Sequence, residues 1–221
     1  FFKALLFLGA GSVIHAMGGE QDIRKMGGLK GKIKITFATM FIATIAISGL
    51  PPFSGFFSKD ELLAHVYEHN QILWLIGMIT SILTAFYMFR MLYLTFYGKF
   101  RGTHEQEHHL HESPPSMTFP LIILAVFSAL GGLLGLPEFL HLPNWMHHNI
   151  NEVVIMKGKS LLTLSHETEL ILMCLAVAGA LASIFFAYSL YIKNKVLPVA
   201  KEQELKPWQR VIYNKFYVDE I

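Results

Sequence analysis

Ser48-Gly-Leu-Pro-Pro-Phe-Ser-Gly-Phe-Phe-Ser-Lys-Asp-Glu61 interrupts an apolar run that begins at Ile35 and is long enough to form most of a membrane span. A proline inside a helix deletes a backbone hydrogen bond and clashes with the preceding turn. Pro51 also pushes Leu50 out of helical geometry. With Gly49, Pro52 and Gly55 close by, a continuous helix is disfavoured. Ser58-Lys-Asp-Glu61 has the S-x-x-E form of a capping box, which starts a helix. The stretch therefore predicts helix, irregular loop and new helix, with the break near 49–57 and Lys59 at the first position of the second half. The competing reading is an unbroken helix from Lys34. It would carry Lys59 about 37 Å along its axis, past a hydrocarbon core of roughly 30 Å, so that the ammonium would reach the far interface. The capping pattern favours the broken helix. Irregular backbone at membrane depth lines wet or protein-enclosed space, and discontinuous helices hold ion sites in transporters.

Outward from that break, five apolar segments divide the chain: 1–17, 35–70 (broken), 72–97, 118–136 and 169–192. All but the first are long enough to span a bilayer. The expected fold is all-α, a polytopic transmembrane helix bundle with one discontinuous helix. A hydrophobic fraction of 53%, only 15% charged residues and a mean hydropathy of +0.44 agree with that class. A net charge of +2 with no basic–aromatic patch argues against nucleic acid as a partner. The single Cys174 excludes a disulfide framework and a Cys-ligated cluster. Phe1 already stands in an apolar segment and Ile221 follows no turn signal, so 1–221 reads as a fragment of one transmembrane domain, cut at both ends.

Charge sets the orientation. With alternating segments, the loops 18–34, 98–117 and 193–221 share one side. They carry Arg24, Lys25, Lys30, Lys32 and Lys34, then Lys99 and Arg101, then Lys193, Lys195, Lys201, Lys206, Arg210 and Lys215. The opposite side has only Lys157 and Lys159. The positive-inside rule makes the first set cytoplasmic, with 193–221 a cytoplasmic linker. Lys3, Lys59 and Arg90 remain within spans. Lys3 lies about 21 Å from the Met17 end, too deep for its side chain to reach water, which predicts a buried polar role. Arg90, two turns from Tyr97, is expected to reach the headgroups. His104, His108, His109 and His111 stand among Gly98, Gly102 and Pro114-Pro115, which reads as a solvated loop rather than a metal site. Gly9-Ala-Gly11, inside a membrane helix, serves close helix approach rather than nucleotide binding. The segment 136–166, with Phe139, His141, Trp145, His147 and His148, reads as an external loop against the interface.

Four runs carry a resemblance: Phe1-Phe-Lys-Ala-Leu-Leu-Phe-Leu-Gly-Ala-Gly-Ser-Val-Ile-His15, Met26-Gly-Gly-Leu29, the Ser48–Glu61 stretch and His111-Glu-Ser-Pro114. With Asn214-Lys-Phe-Tyr-Val-Asp-Glu220, they resemble subunit L of bacterial NADH–quinone oxidoreductase, respiratory complex I, an antiporter-like family. The resemblance covers essentially the whole chain. It implies a proton-translocating membrane subunit of a multisubunit enzyme in the bacterial inner (cytoplasmic) membrane, adjacent to the antiporter-like subunit M. It implies no cofactor in this chain, with NADH, FMN, iron–sulfur clusters and quinone elsewhere in the complex. The family's channel lysines match Lys59 and Lys3, with Asp60 beside Lys59. Sister subunit M typically has glutamate at the broken-helix position, so Lys59 favours the L type. The family's first half, its long lateral helix and its final span have no counterpart here. A buried lysine takes up and releases protons, and His15, Thr80, Ser81 and Thr84 are candidates to line its path. Two other readings stay open: a subunit of a cation/proton (Na⁺/H⁺) antiporter or membrane-bound hydrogenase, and a structural subunit whose buried charges fix helix packing.

Overall fold

The computed structural model describes residues 1–135, 165–198 and 206–220. Those residues are all-α, without a strand. The helices are α1 (Phe2–Ala16), α2 (Lys34–Ser48), α3 (Ser54–His69), α4 (Gln71–Phe96), α5 (His104–His109), α6 (Pro115–Leu130), α7 (His166–Tyr188) and α8 (Pro207–Tyr213). Among the described residues, three stretches are long and apolar enough to cross a membrane: Gln71–Phe96, Pro115–Leu133 and Glu167–Lys193. α1 and α2 are shorter apolar helices. The expected external loop with His141, His147 and His148, and with Lys157 and Lys159, lies outside the described residues.

Local chemistry sets the helix ends. The Asn70 side chain accepts from the amides of Ile72 and Leu73 and so starts α4. Ser165 does the same for α7 through Thr168, which closes with a π-helical turn over Ser189–Lys193. Pro115 stands in the first turn of α6, where a missing N–H costs nothing. α2 has no cap of its own. The Glu112 carboxylate, 77 residues further on, accepts from Ile35 N at 2.7 Å and from the Thr36 hydroxyl at 2.6 Å. An acidic group is favourable at a helix start.

The loop 98–117 differs from the sequence reading in one respect. It contains α5, opened by a reciprocal capping box between Thr103 and Gln106. His104 and His108 sit edge to face on that helix at 4.6 Å between ring centroids. No group of three or more His, Cys, Asp or Glu is placed to hold a metal ion among the described residues.

Two apolar clusters hold the bundle. Val13, Met17, Leu29, Ile33, Met40, Phe89 and Phe96 knit α1, α2 and α4 together at the loop end. Leu5, Ala43, Leu121 and Ala125 join α1, α2 and α6. A Cβ on Gly9 would overlap the Met40 side chain, whereas Gly11 faces open space. Gly9 is thus the position of close helix approach. α7 lies along α4, with the Ser183 hydroxyl donating to Ile82 O at 2.9 Å. Contacts of this kind glue membrane helices where hydrophobic burial offers no preference. Arg101 ties the basic loops together by donating to Ile23 O, Arg24 O and Leu94 O.

Candidate functional site

The break is real, and it is tighter than the sequence suggests. α2 stops at Ser48 because Gly49 turns left-handed (φ 75°) and its N–H returns to Ala46 O. That geometry is cheap for glycine and strained for other residues. Leu50, the cis-linked Pro51-Pro52 and Phe53 complete a five-residue turn. α3 then starts at Ser54, four residues before the S-x-x-E pattern. The Ser58 hydroxyl bonds back to Ser54 O at 3.4 Å, so it lies inside the helix and caps nothing. Lys59 is accordingly the sixth residue of α3, not the first. Two anchors explain the early start. Ser54 donates to Ser128 O on α6 at 2.9 Å. Gly55 packs flush on α2, where a Cβ would collide with Ala46 O.

Lys59 is partly buried and its Nζ donates to Ile47 O at 2.6 Å, with Ser81 Oγ at 3.5 Å. Ile47 O is one of the last carbonyls of α2, which have no partner inside their own helix. The lysine therefore turns back to the break and lies against the negative end of α2. It does not extend to the far interface. At 1.5 Å per residue, Ile47 is about 20 Å along α2 from Lys34, well inside a hydrocarbon core of roughly 30 Å.

Asp60 is buried, at 8% exposure. Glu169 stands in the first turn of α7, which packs against α3. Of the lining candidates, the structure brings only Ser81 to Lys59. Thr80 and Thr84 donate to the i−4 carbonyls of α4. His15 stands at the other end of α1, edge-on to His111 at 6.4 Å.

Lys3 departs from its expected burial. α1 turns Leu5, Gly9, Ser12, Val13 and Ala16 inward, which leaves Lys3 on the opposite, exposed face together with Phe7 and Gly11. Its depth nevertheless matches that of Lys59. Ser12 pairs with Thr36, Gly9 with Met40 and Leu5 with Ala43. Continuing that antiparallel register sets Lys3 level with Ala46, beside the break. The Arg90 guanidinium lies over the Tyr191 ring at 5.9 Å from the centroid, in the closing turn of α7.

Sequence reasoning passed over three groups here. The Ile47 carbonyl bears no sequence signal of its own. Glu169 is joined to Asp60 only by the folding of α7 onto α3. Glu112 was quoted as part of a motif, yet no local pattern announces a cap supplied from another segment.

Residues 1–84 match the family described as NADH:quinone oxidoreductase/Mrp antiporter, TM. NAD(P)H-quinone oxidoreductase chain 5 of a Picosynechococcus species is 40% identical over an alignment that covers 100% of this chain and 37% of that protein. NADH-quinone oxidoreductase subunit L of Rickettsia bellii is 35% identical over 100% of this chain and 34% of its own. The Rhodobacter capsulatus subunit L is 46% identical over 63% and 21% respectively. The chain spans little more than a third of the length of the first two relatives and about a fifth of the third. The broken helix and both lysine positions fall inside the family match, and the chain belongs to this family of antiporter-like membrane subunits.

Proposed function

We propose that this chain is part of a proton-translocating subunit of an NADH–quinone oxidoreductase, with Lys59 as the proton carrier at the broken helix. The observation that carries the reading is the Lys59 Nζ–Ile47 O contact at membrane depth. A lysine amine donates to that carbonyl in either protonation state, so it is held in place while its proton comes and goes. Asp60, buried one residue on, and Ser81 are the adjacent proton-exchanging groups. Lys3, level with them on the other face of α1, serves the neighbouring part of the path. The chain supplies proton-binding side chains and no redox chemistry. NADH, FMN, iron–sulfur clusters and quinone belong to other subunits, and turnover there drives the protonation changes here. The adjacent antiporter-like subunit M is its partner in the bacterial inner membrane, and the basic loops face the cytoplasm.

The test is substitution in the assembled complex. Lys59→Ala should abolish most proton translocation while assembly survives. Lys59→Arg should be nearly as harmful, because guanidinium keeps its proton at any working pH. A purely structural lysine would tolerate arginine, which also reaches Ile47 O and stays charged. Normal pumping in an assembled Lys59→Arg complex therefore overturns the carrier role. Sodium-dependent proton exchange without quinone turnover would instead assign the chain to the Mrp side of its family.

A further inference from the structure

A second polar cluster lies at the opposite end of α2 from Lys59, and the carrier role does not use it. Thr36 Oγ1 donates to the Glu112 carboxylate at 2.6 Å. Thr36 has one hydroxyl proton, so Ser12 must be the donor in the 2.7 Å contact between Ser12 Oγ and Thr36 Oγ1. By the same count Ser113 donates to Ser12, also at 2.7 Å. Ser12, Thr36 and Ser113 are all at least 95% buried. Three hydroxyls from three segments thus form one aligned chain that ends on a carboxylate at the basic-loop edge. His15 and His111 flank it, and Lys34 is the nearest cation in sequence.

Helix α2 continues that polarity inward. Thr39, Thr44 and Ser48 are buried between Thr36 and the break, at steps of three, five and four residues along the helix. Thr39 donates to Ile35 O and Thr36 O, and Ser48 donates to Thr44 O. Such back-bonding is ordinary for hydroxyls in membrane helices. Thr44 is different: its Oγ1 is buried, at 0% exposure, and has no hydrogen-bond partner. A buried hydroxyl of this kind is costly unless water or another polar group bonds to it.

We propose that Glu112 is the proton-uptake group on the basic-loop side, feeding Lys59 along the buried hydroxyls of α2, with Thr44 as the relay at mid-length. This rests on the carrier role of Lys59. Glu112 takes a proton from bulk water as a carboxylic acid and donates it to Thr36 Oγ1. Thr36 releases its own proton inward to a bridging water, while Ser12 and Ser113 keep donating toward it and hold it in place. Water bridges the gaps between Thr39, Thr44 and Ser48. The last transfer places one proton on the Lys59 amine and leaves the Glu112 carboxylate ready to bind the next.

Thr44 gives the discriminating experiment. Thr44→Val is isosteric and removes a hydroxyl that bonds to nothing, so a structural Thr44 predicts an assembled complex with unchanged or improved stability and normal pumping. A relay predicts at least a threefold loss of proton translocation in membrane vesicles at intact assembly, restored by Thr44→Ser. Glu112→Gln, which retains an oxygen to accept from Ile35 N, should show the same loss. Normal translocation in an assembled Thr44→Val complex overturns the path. Lys59→Arg in parallel separates the two ideas. If Lys59→Arg stops translocation and Thr44→Val does not, only the path fails. If Lys59→Arg pumps normally, the carrier reading has failed first.

Discussion

Lys59 on α3 closes the open end of α2: its Nζ donates to Ile47 O at 2.6 Å, across a turn of five residues. The two half-helices are therefore joined twice, once through the chain and once through a side chain that titrates. Any change in how that side chain sits is felt at the helix end, and the reverse also holds.

Gly49 is the most direct way to test that coupling. A Cβ there would stand 3.1 Å from Lys59 Cδ, on a residue held at φ 75°. Gly49→Ala should destabilise the break by roughly 1–2 kcal/mol from backbone strain and displace Lys59 from Ile47 O. Proton translocation should fall at least as far as thermal stability does. A variant that loses stability and pumps normally would separate the break from the carrier.

How much of this was legible beforehand follows from the range of each signal. The interruption at Gly49 and Pro51-Pro52 was readable because proline and glycine act through their own backbone. The capping box was misplaced for a related reason. Ser58-x-x-Glu61 and Thr103-x-x-Gln106 both fit the pattern, yet only the second caps a helix. The difference is tertiary: Ser54 reaches α6 and Gly55 packs on Ala46, so α3 begins a turn early and swallows the first pattern. Counting along α1 sets how far Lys3 lies from Met17, but no count shows which face is covered. The Glu112–Thr36–Ser12–Ser113 chain joins residues up to 101 apart, which no local pattern encodes.

Gly55 makes a sharper packing prediction. Its missing side chain is what lets α3 approach α2, since a Cβ would collide with the Ala46 main-chain oxygen. Backbone gives way less readily than a side chain, so Gly55→Val should cost about 2–3 kcal/mol as an overpacked contact. The expected result is a lower thermal midpoint of the purified complex, with part of the loss already visible in Gly55→Ala. An unchanged midpoint in both variants contradicts the close contact.

Arg101 is expected to matter through geometry. Its guanidinium donates to Ile23 O, Arg24 O and Leu94 O at 2.8–3.1 Å, which a planar fork satisfies together. Arg101→Lys keeps the charge but not the fork, and should cost about 1–2 kcal/mol. Protease sensitivity of the 18–34 loop should rise in Arg101→Lys nearly as much as in Arg101→Ala. Full protection in the lysine variant would show that charge alone suffices.

Acid should loosen the same loop within a defined range. The Arg24 guanidinium beside Asp22 holds its carboxyl below the usual 3.8, and Lys25 with the Asp22 amide holds Glu20 below 4.5. Both carboxyls are depressed in the folded loop. Their contribution is therefore complete above the ordinary values and is lost as pH falls through the lowered ones. The loop should stay closed from neutrality to about pH 5 and open as pH falls below about 4. Both pairs, at 2.7 Å contacts, have exposed cations and half-buried carboxylates, so salt should weaken the effect. Hydrogen exchange at the Arg24 amide, which donates to Asp22 Oδ1 at 2.9 Å, reports it directly. The protection of the Arg24 amide, its exchange rate relative to that of an unprotected amide at the same pH, should fall through that acid range. Asp22→Asn should remove its part of the pH dependence, because the amide accepts the same bond without titrating. Equal pH sensitivity in the asparagine variant would move the titration away from Asp22.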